Sequence, residues 1–121
     1  MNGKNIVIID DEVEILNMLE KFLSREGYSV KTFNNPLTAI NMLSADTDVV
    51  LLDVMMPQMS GLDALPKILE KNSKVKVLIM TAYSTLDKVL KAHRNGADTY
   101  IMKPFDSLGA VQKKIEELLK S

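Results

Sequence analysis

Two uninterrupted apolar runs, Ile6-Val7-Ile8-Ile9 and Val49-Val50-Leu51-Leu52, each lead straight into aspartate. A run with no polar residue on either alternate face has no side to turn to water. Each therefore predicts a strand covered on both faces, as in parallel sheets. Parallel strands cannot be joined by tight hairpins and need crossover segments, usually helices. The intervening sequence has the spacing to supply them.

After the first run, Ile15, Leu16, Leu19, Phe22 and Leu23 fall on one helical stripe, and Gly27 is placed to close that helix in a left-handed cap. Tyr28 to Phe33 predicts a second strand, less uniformly apolar and so nearer an edge. Asn35-Pro36 provides an N-cap and a first-turn proline for a helix ending near Ser44. Strands three and four are expected at Val49–Leu52 and Val75–Met80, with a helix over roughly Leu62–Lys71 between them. Pro66 inside that helix predicts a kink or a delayed start. Ser84-Thr85-Leu86-Asp87 has capping-box spacing and opens a helix that stops at Asn95-Gly96. Thr99–Met102 makes strand five. The last helix carries Leu108, Val111, Ile115, Leu118 and Leu119, with Gly109 weakening its first turn. Five strands alternating with five helices predict a doubly wound α/β domain, one parallel sheet with helices on both faces.

The 121 residues suit one domain over 1–121, and a formal charge of -1 offers no broad field for nucleic acid or an anionic membrane. There is no cysteine, so thiolate metal sites and disulfides are excluded. No apolar stretch approaches the ~20 residues of a membrane span. These features suit a cytoplasmic protein that inserts in no membrane.

Ligands of such sheets bind beyond the carboxyl ends of the strands. Those ends carry Asp10-Asp11 after strand one, Asp53 after strand three, Thr81 after strand four and Lys103-Pro104 after strand five. Three carboxylates gathered on one edge repel: at ~4 Å, each pair costs about 4 kcal/mol at an effective dielectric of 20. Some must protonate or a cation must join them, and hard oxygen ligands select Mg²⁺, or Mn²⁺. Lys103 offsets only part of the charge. A cation-primed anion site suits phosphoryl transfer, with Asp53 as nucleophile on the most apolar strand, Asp10 and Asp11 as metal ligands, and Thr81 as a hydroxyl donor.

The motifs Asp10-Asp11-Glu12, Asp53-Val54-Met55-Met56-Pro57 with Gly61, Thr81-Ala82 and Lys103-Pro104-Phe105 stand in order at the strand ends. In them the sequence resembles the receiver domains of two-component response regulators, over essentially the whole chain. The resemblance implies a flavodoxin-like fold with strand order 2-1-3-4-5. It also implies that Asp53 accepts a phosphoryl group from the phosphohistidine of a histidine kinase or histidine phosphotransfer protein. Asp11, Asp53 and the backbone carbonyl of Met55 would hold Mg²⁺, with Asp10 assisting through water. Lys103 would pair with the phosphoryl group, and the Lys103–Pro104 bond would be cis. Thr81 would move toward the phosphoryl group, Tyr100 would turn inward, and the surface of helix four, strand five and helix five would change its protein target. Met55 and Tyr83 would shield the acyl phosphate from water. The chain would be a stand-alone receiver or a fragment of a larger regulator that does not itself contact nucleic acid.

Plainer readings stand beside these. Taken alone, Asp10-Asp11-Glu12 caps a helix, Thr81 is a strand hydroxyl, Lys103-Pro104 is a turn and Tyr100 is an edge-strand aromatic. The methionines Met55, Met56 and Met59 read as plastic packing. The single histidine, His93, reads as a partly buried side chain on an apolar stripe, so the phosphohistidine must come from another molecule. Lys67, Lys71, Lys74 and Lys76 read as solvated. Three rival functions remain. A haloacid-dehalogenase-like phosphatase needs a second acid two residues after its nucleophile, where this chain has Met55, which cannot move a proton. This favours a switch over a turnover enzyme. A flavin binder needs a neutral phosphate loop where this chain has Asp10-Asp11-Glu12. A scaffold with a degenerate acidic pocket would show no metal-dependent stabilisation.

Overall fold

The computed structural model describes residues 3–82 and 86–120. Strands and helices alternate without exception: β1 (Asn5–Ile9), α1 (Val13–Arg25), β2 (Ser29–Phe33), α2 (Pro36–Met42), β3 (Val49–Asp53), α3 (Gly61–Lys71), β4 (Lys76–Thr81), α4 (Leu86–Arg94), β5 (Thr99–Met102) and α5 (Leu108–Lys120). All strand pairs are parallel and the sheet order is β2-β1-β3-β4-β5, as the resemblance implied.

The period of two along each strand divides the core between the sheet faces. Val7, Ile9, Val50, Leu52, Val77 and Ile79 face one side and meet Ala39, Ala64, Leu65, Ile68 and Ala92 from α2, α3 and α4. Ile6, Ile8, Val49, Leu51, Leu78 and Met80 face the other and meet Leu16, Leu19 and Leu23 of α1 and Val111, Ile115 and Leu118 of α5. Every residue of β3 is buried, whereas edge strand β2 has no fully buried residue. The central strand is thus clamped on both faces by packed aliphatic side chains, and its last residue, Asp53, inherits that rigidity.

The expected helix boundaries hold at several points. Asn35 accepts a hydrogen bond from the Leu37 amide ahead of Pro36, and α2 ends at Met42, two residues short of the expectation. Gly27 and Gly96 adopt φ of 96° and 108°, the left-handed region that closes α1 and α4. Pro66 does not delay α3: the helix starts at Gly61, where the Ser60 hydroxyl caps it by accepting from the Leu62 amide. The capping sequence expected at Ser84 and Thr85, like Tyr83, lies outside the described residues.

Candidate functional site

The strand register brings the polar residues together. Asp53 ends β3 opposite Met80, and Thr81 ends β4 opposite Met102, so Lys103 follows directly on the neighbouring strand. Backbone hydrogen bonds extend the ladder past the strand ends, from Val54 N–H to the Met80 carbonyl at 3.2 Å and from Lys103 N–H to the Thr81 carbonyl at 2.8 Å. Asp10 is fixed by its own N–H, which donates to the Phe33 carbonyl at 3.1 Å, and its Oδ1 accepts from the Glu12 amide at 2.9 Å.

One ammonium lies among three carboxylates. Lys103 Nζ is 2.7 Å from Asp10 Oδ2, 3.2 Å from Glu12 Oε1 and 3.3 Å from Asp53 Oδ1. Asp10, Asp53, Thr81 and Lys103 are all buried, at 0, 3, 4 and 8 % exposure, while Asp11 and Glu12 stand in solvent. Burial raises the pKa of Asp53 to about 7, and the neighbouring charge of Asp10 pushes the same way; Lys103 only partly opposes them. A carboxyl contact with Asp11 raises it further. Asp10 is also raised, by burial first, against the pull of Lys103 and the Glu12 amide. Burial alone would lower Lys103, but the hydrogen bond and charge of Asp10, then Asp53 and Glu12, outweigh it and hold the ammonium above the ordinary lysine range.

The chemistry of the donors fits a hard divalent cation. Carboxylate oxygens of Asp10, Asp11 and Glu12 lie within 4.8 Å of one another, with Asp53 against Lys103 beside them. Asp10 Oδ2, fully buried, has the ion pair with Lys103 but no hydrogen bond of good geometry. Oxygen-only ligands with surplus negative charge suit Mg²⁺ or Mn²⁺. The loop after Asp53 is held close by Gly61, whose N–H donates to the Val54 carbonyl at 2.8 Å. A Cβ at position 61 would fall onto the Asp53 carbonyl oxygen, so only glycine allows this approach.

The remaining sites stand apart. The Lys103–Pro104 peptide bond is cis. Met55 follows Asp53 in the loop with its side chain exposed. Tyr100 lies outside the pocket on edge strand β5, 39 % exposed, with Lys114 Nζ 5.9 Å from its ring centroid. His93 is exposed rather than partly buried, because Ala92 occupies the buried position of α4 and the next residue is turned about 100° away. Lys67, Lys71 and Lys74 are exposed and Lys76 is half-buried. The sequence reading missed the reach of Glu12 to Lys103. Its one trace was a glutamate at an N-cap position, where Ser, Thr, Asp or Asn is favoured.

Comparison with known proteins agrees with this geometry. Residues 6–116 match the response regulator receiver domain. The chain belongs to that family. Its relatives include the DNA-binding transcriptional regulator NtrC of Rhizobium meliloti, 38 % identical over 107 residues, which cover 88 % of this chain and 22 % of NtrC. Among solved structures, a CheY-like receiver domain protein from Methanospirillum hungatei superposes with a TM-score of 0.89 at 30 % identity, covering 98 % of this chain and 95 % of its own. The BeF₃-activated receiver domain of DrrB, a Thermotoga maritima protein, gives 0.89 at 31 % identity, over 98 % of this chain and 99 % of its own. The chain spans under half the length of the curated relatives, from 21 % of the Escherichia coli NtrC to 44 % of the Staphylococcus epidermidis regulator SaeR. Receiver domains are the phosphoaspartate switches of two-component signalling. Among the described residues, no helix is long and apolar enough to cross a membrane.

Proposed function

We propose that Asp53 is the phosphoacceptor of this receiver domain, taking a phosphoryl group from the phosphohistidine of a partner kinase or phosphotransfer protein. The observation that carries this reading is Lys103 Nζ held between Asp10 and Asp53 at the carboxyl end of the central strand. An oxygen of Asp53 attacks phosphorus in line. The P–O bond of an acyl phosphate forms as the P–N bond to imidazole breaks, and the departing nitrogen keeps the electron pair. Asp53 must be ionised to attack, and its pKa of about 7 leaves a large protonated fraction near neutrality. A bound Mg²⁺ would supply positive charge that ionises the nucleophile and screens the phosphoryl oxygens. Asp10, Asp11, Asp53 and the backbone carbonyl of Met55 would hold it.

Lys103 remains charged throughout, since its neighbours raise its pKa, and it offers its ammonium to a phosphoryl oxygen. The Thr81 hydroxyl, at the end of β4, takes another. Tyr100 then turns inward, and the face formed by α4, β5 and α5 presents a changed surface to a protein target. The position two residues after Asp53, where a haloacid-dehalogenase-like phosphatase carries its general acid, is Met55, which cannot move a proton. The result is a switch in the cytoplasm rather than a turnover enzyme. A groove of about 330 Å³ beside Lys103, walled by Ile15 and Met18 of α1 and by Pro104, Phe105 and Leu108, supports a protein phosphodonor.

The test is direct. Incubation with acetyl phosphate and Mg²⁺ should add one phosphoryl group, which mass spectrometry of reduced, trapped peptides places on Asp53. Chelation of the metal or Asp53→Asn should abolish it. Label on another residue, or uptake that survives Asp53→Asn, would overturn the assignment.

A further inference from the structure

We infer that Glu12 is a latch on Lys103, a positioning residue that occupies the ammonium in the resting site and must let go when a phosphoryl group arrives. The inference rests on the assignment of Asp53 above. An ammonium has three N–H donors, and here three carboxylates surround it: Asp10, Glu12 and Asp53. A phosphoryl group on Asp53 brings new anionic oxygens that compete for the same donors. One existing partner has to give way.

The three are not equivalent. Asp10 has no solvent exposure, so water cannot replace its contact with the ammonium. Asp53 is the group being modified. Glu12 has a side chain 59 % exposed, and its carboxylate is rehydrated at little cost when the contact opens. Glu12 is therefore the partner that yields.

A second observation points the same way. Glu12 is the N-cap of α1, yet its side chain makes no capping hydrogen bond. The side chain instead accepts no capping hydrogen bond from its own helix and reaches across the site, accepting from Lys103 Nζ over a separation of 91 residues. Asp10 Oδ1 meanwhile holds the Glu12 amide, fixing the backbone from which that side chain reaches. Helix α1 forgoes local stabilisation and the site gains a releasable competitor for its lysine.

Titration of the full chain with beryllofluoride, an acyl-phosphate mimic, at saturating Mg²⁺ tests this. Glu12→Gln removes the charge with little change of shape and should bind beryllofluoride roughly two- to fivefold tighter, the size of one partly exposed ion pair. Glu14→Gln removes the same charge from the exposed first turn of α1 and should bind as the wild type does. The Glu12→Gln gain should shrink in high salt, which screens an exposed pair. Its thermal midpoint in the absence of beryllofluoride should stay close to wild type, separating a latch from a structural role. Equal or weaker binding by Glu12→Gln, or the same gain in Glu14→Gln, would overturn the latch and leave the Asp53 assignment intact. Failure of the wild type itself to bind beryllofluoride would overturn both.

Discussion

The two ends of the same parallel sheet use their polar residues in opposite ways. At the amino end, side chains are turned to the backbone. Asp48 Oδ2 accepts from the Asn5 amide and Asp98 Oδ2 from the Val77 amide, each at 2.8 Å. The Asn72 amide group donates to the carbonyls of Ser44, Ala45 and Thr47 at 3.3, 3.4 and 3.1 Å. At the carboxyl end, side chains are turned to each other: Asp10, Glu12 and Asp53 converge on Lys103. The first arrangement satisfies loop and strand termini and stabilises the fold. The second crowds like charges into a dry place and stores unfavourable energy that a cation or a proton relieves. The amino end thus serves the fold alone, whereas the carboxyl end also holds the candidate site.

Substitutions at the two ends should separate by their effect on phosphoryl uptake. The largest structural loss is expected at the carboxyl end, from Gly61→Ala, because the new Cβ collides with the backbone of Asp53 and Val54 rather than with a mobile side chain. A loss of about 3 kcal/mol in chemical denaturation is expected, together with impaired phosphoryl uptake. Asn72→Ala, at the amino end, should cost about 1–3 kcal/mol by stripping carbonyls of their donor, yet leave acetyl-phosphate labelling of Asp53 at the wild-type rate. A labelling defect in Asn72→Ala would break the division between the ends. The smallest change, Gly109→Ala, touches neither. A Cβ there meets only the Ser107 hydroxyl at 3.6 Å, so improved helix propensity in α5 should stabilise the protein by about 0.5–1 kcal/mol without altering labelling.

The division was partly legible in the sequence. Runs with no polar interruption, such as Val49 to Leu52, announce buried parallel strands, and parallel strands necessarily bring their carboxyl ends to one edge. That rule alone gathers Asp10, Asp53, Thr81 and Lys103. What it does not determine is side-chain direction. Glu12 was visible as one of three consecutive acids, but its choice between its own helix and a lysine beyond β5 depends on rotamers, because β3 and β4 separate β1 from β5 in the sheet. The face of His93 was misjudged for a related reason. A helical stripe is wide enough to include two adjacent positions, and the smaller Ala92 took the buried one. The amino-end hydrogen bonds of Asp48, Asp98 and Asn72 were not anticipated at all, since short polar residues in loops carry no periodic signal.

Chemical denaturation of wild type and Asp53→Asn between pH 4 and pH 8, without metal and then with saturating Mg²⁺, tests the stored-charge claim most directly. Asp53 is raised in the fold from 3.8 to about 7, so the folded protein retains a proton that the unfolded chain has released. Its contribution is fully favourable below pH 4 and is lost as the pH rises through about 7. The two proteins should therefore have similar stability near pH 4, and Asp53→Asn should become the more stable by roughly 2–4 kcal/mol at pH 8. Saturating Mg²⁺ should stabilise the wild type and narrow that gap. A gap that does not change with pH, or a metal effect equal in both proteins, would contradict the account.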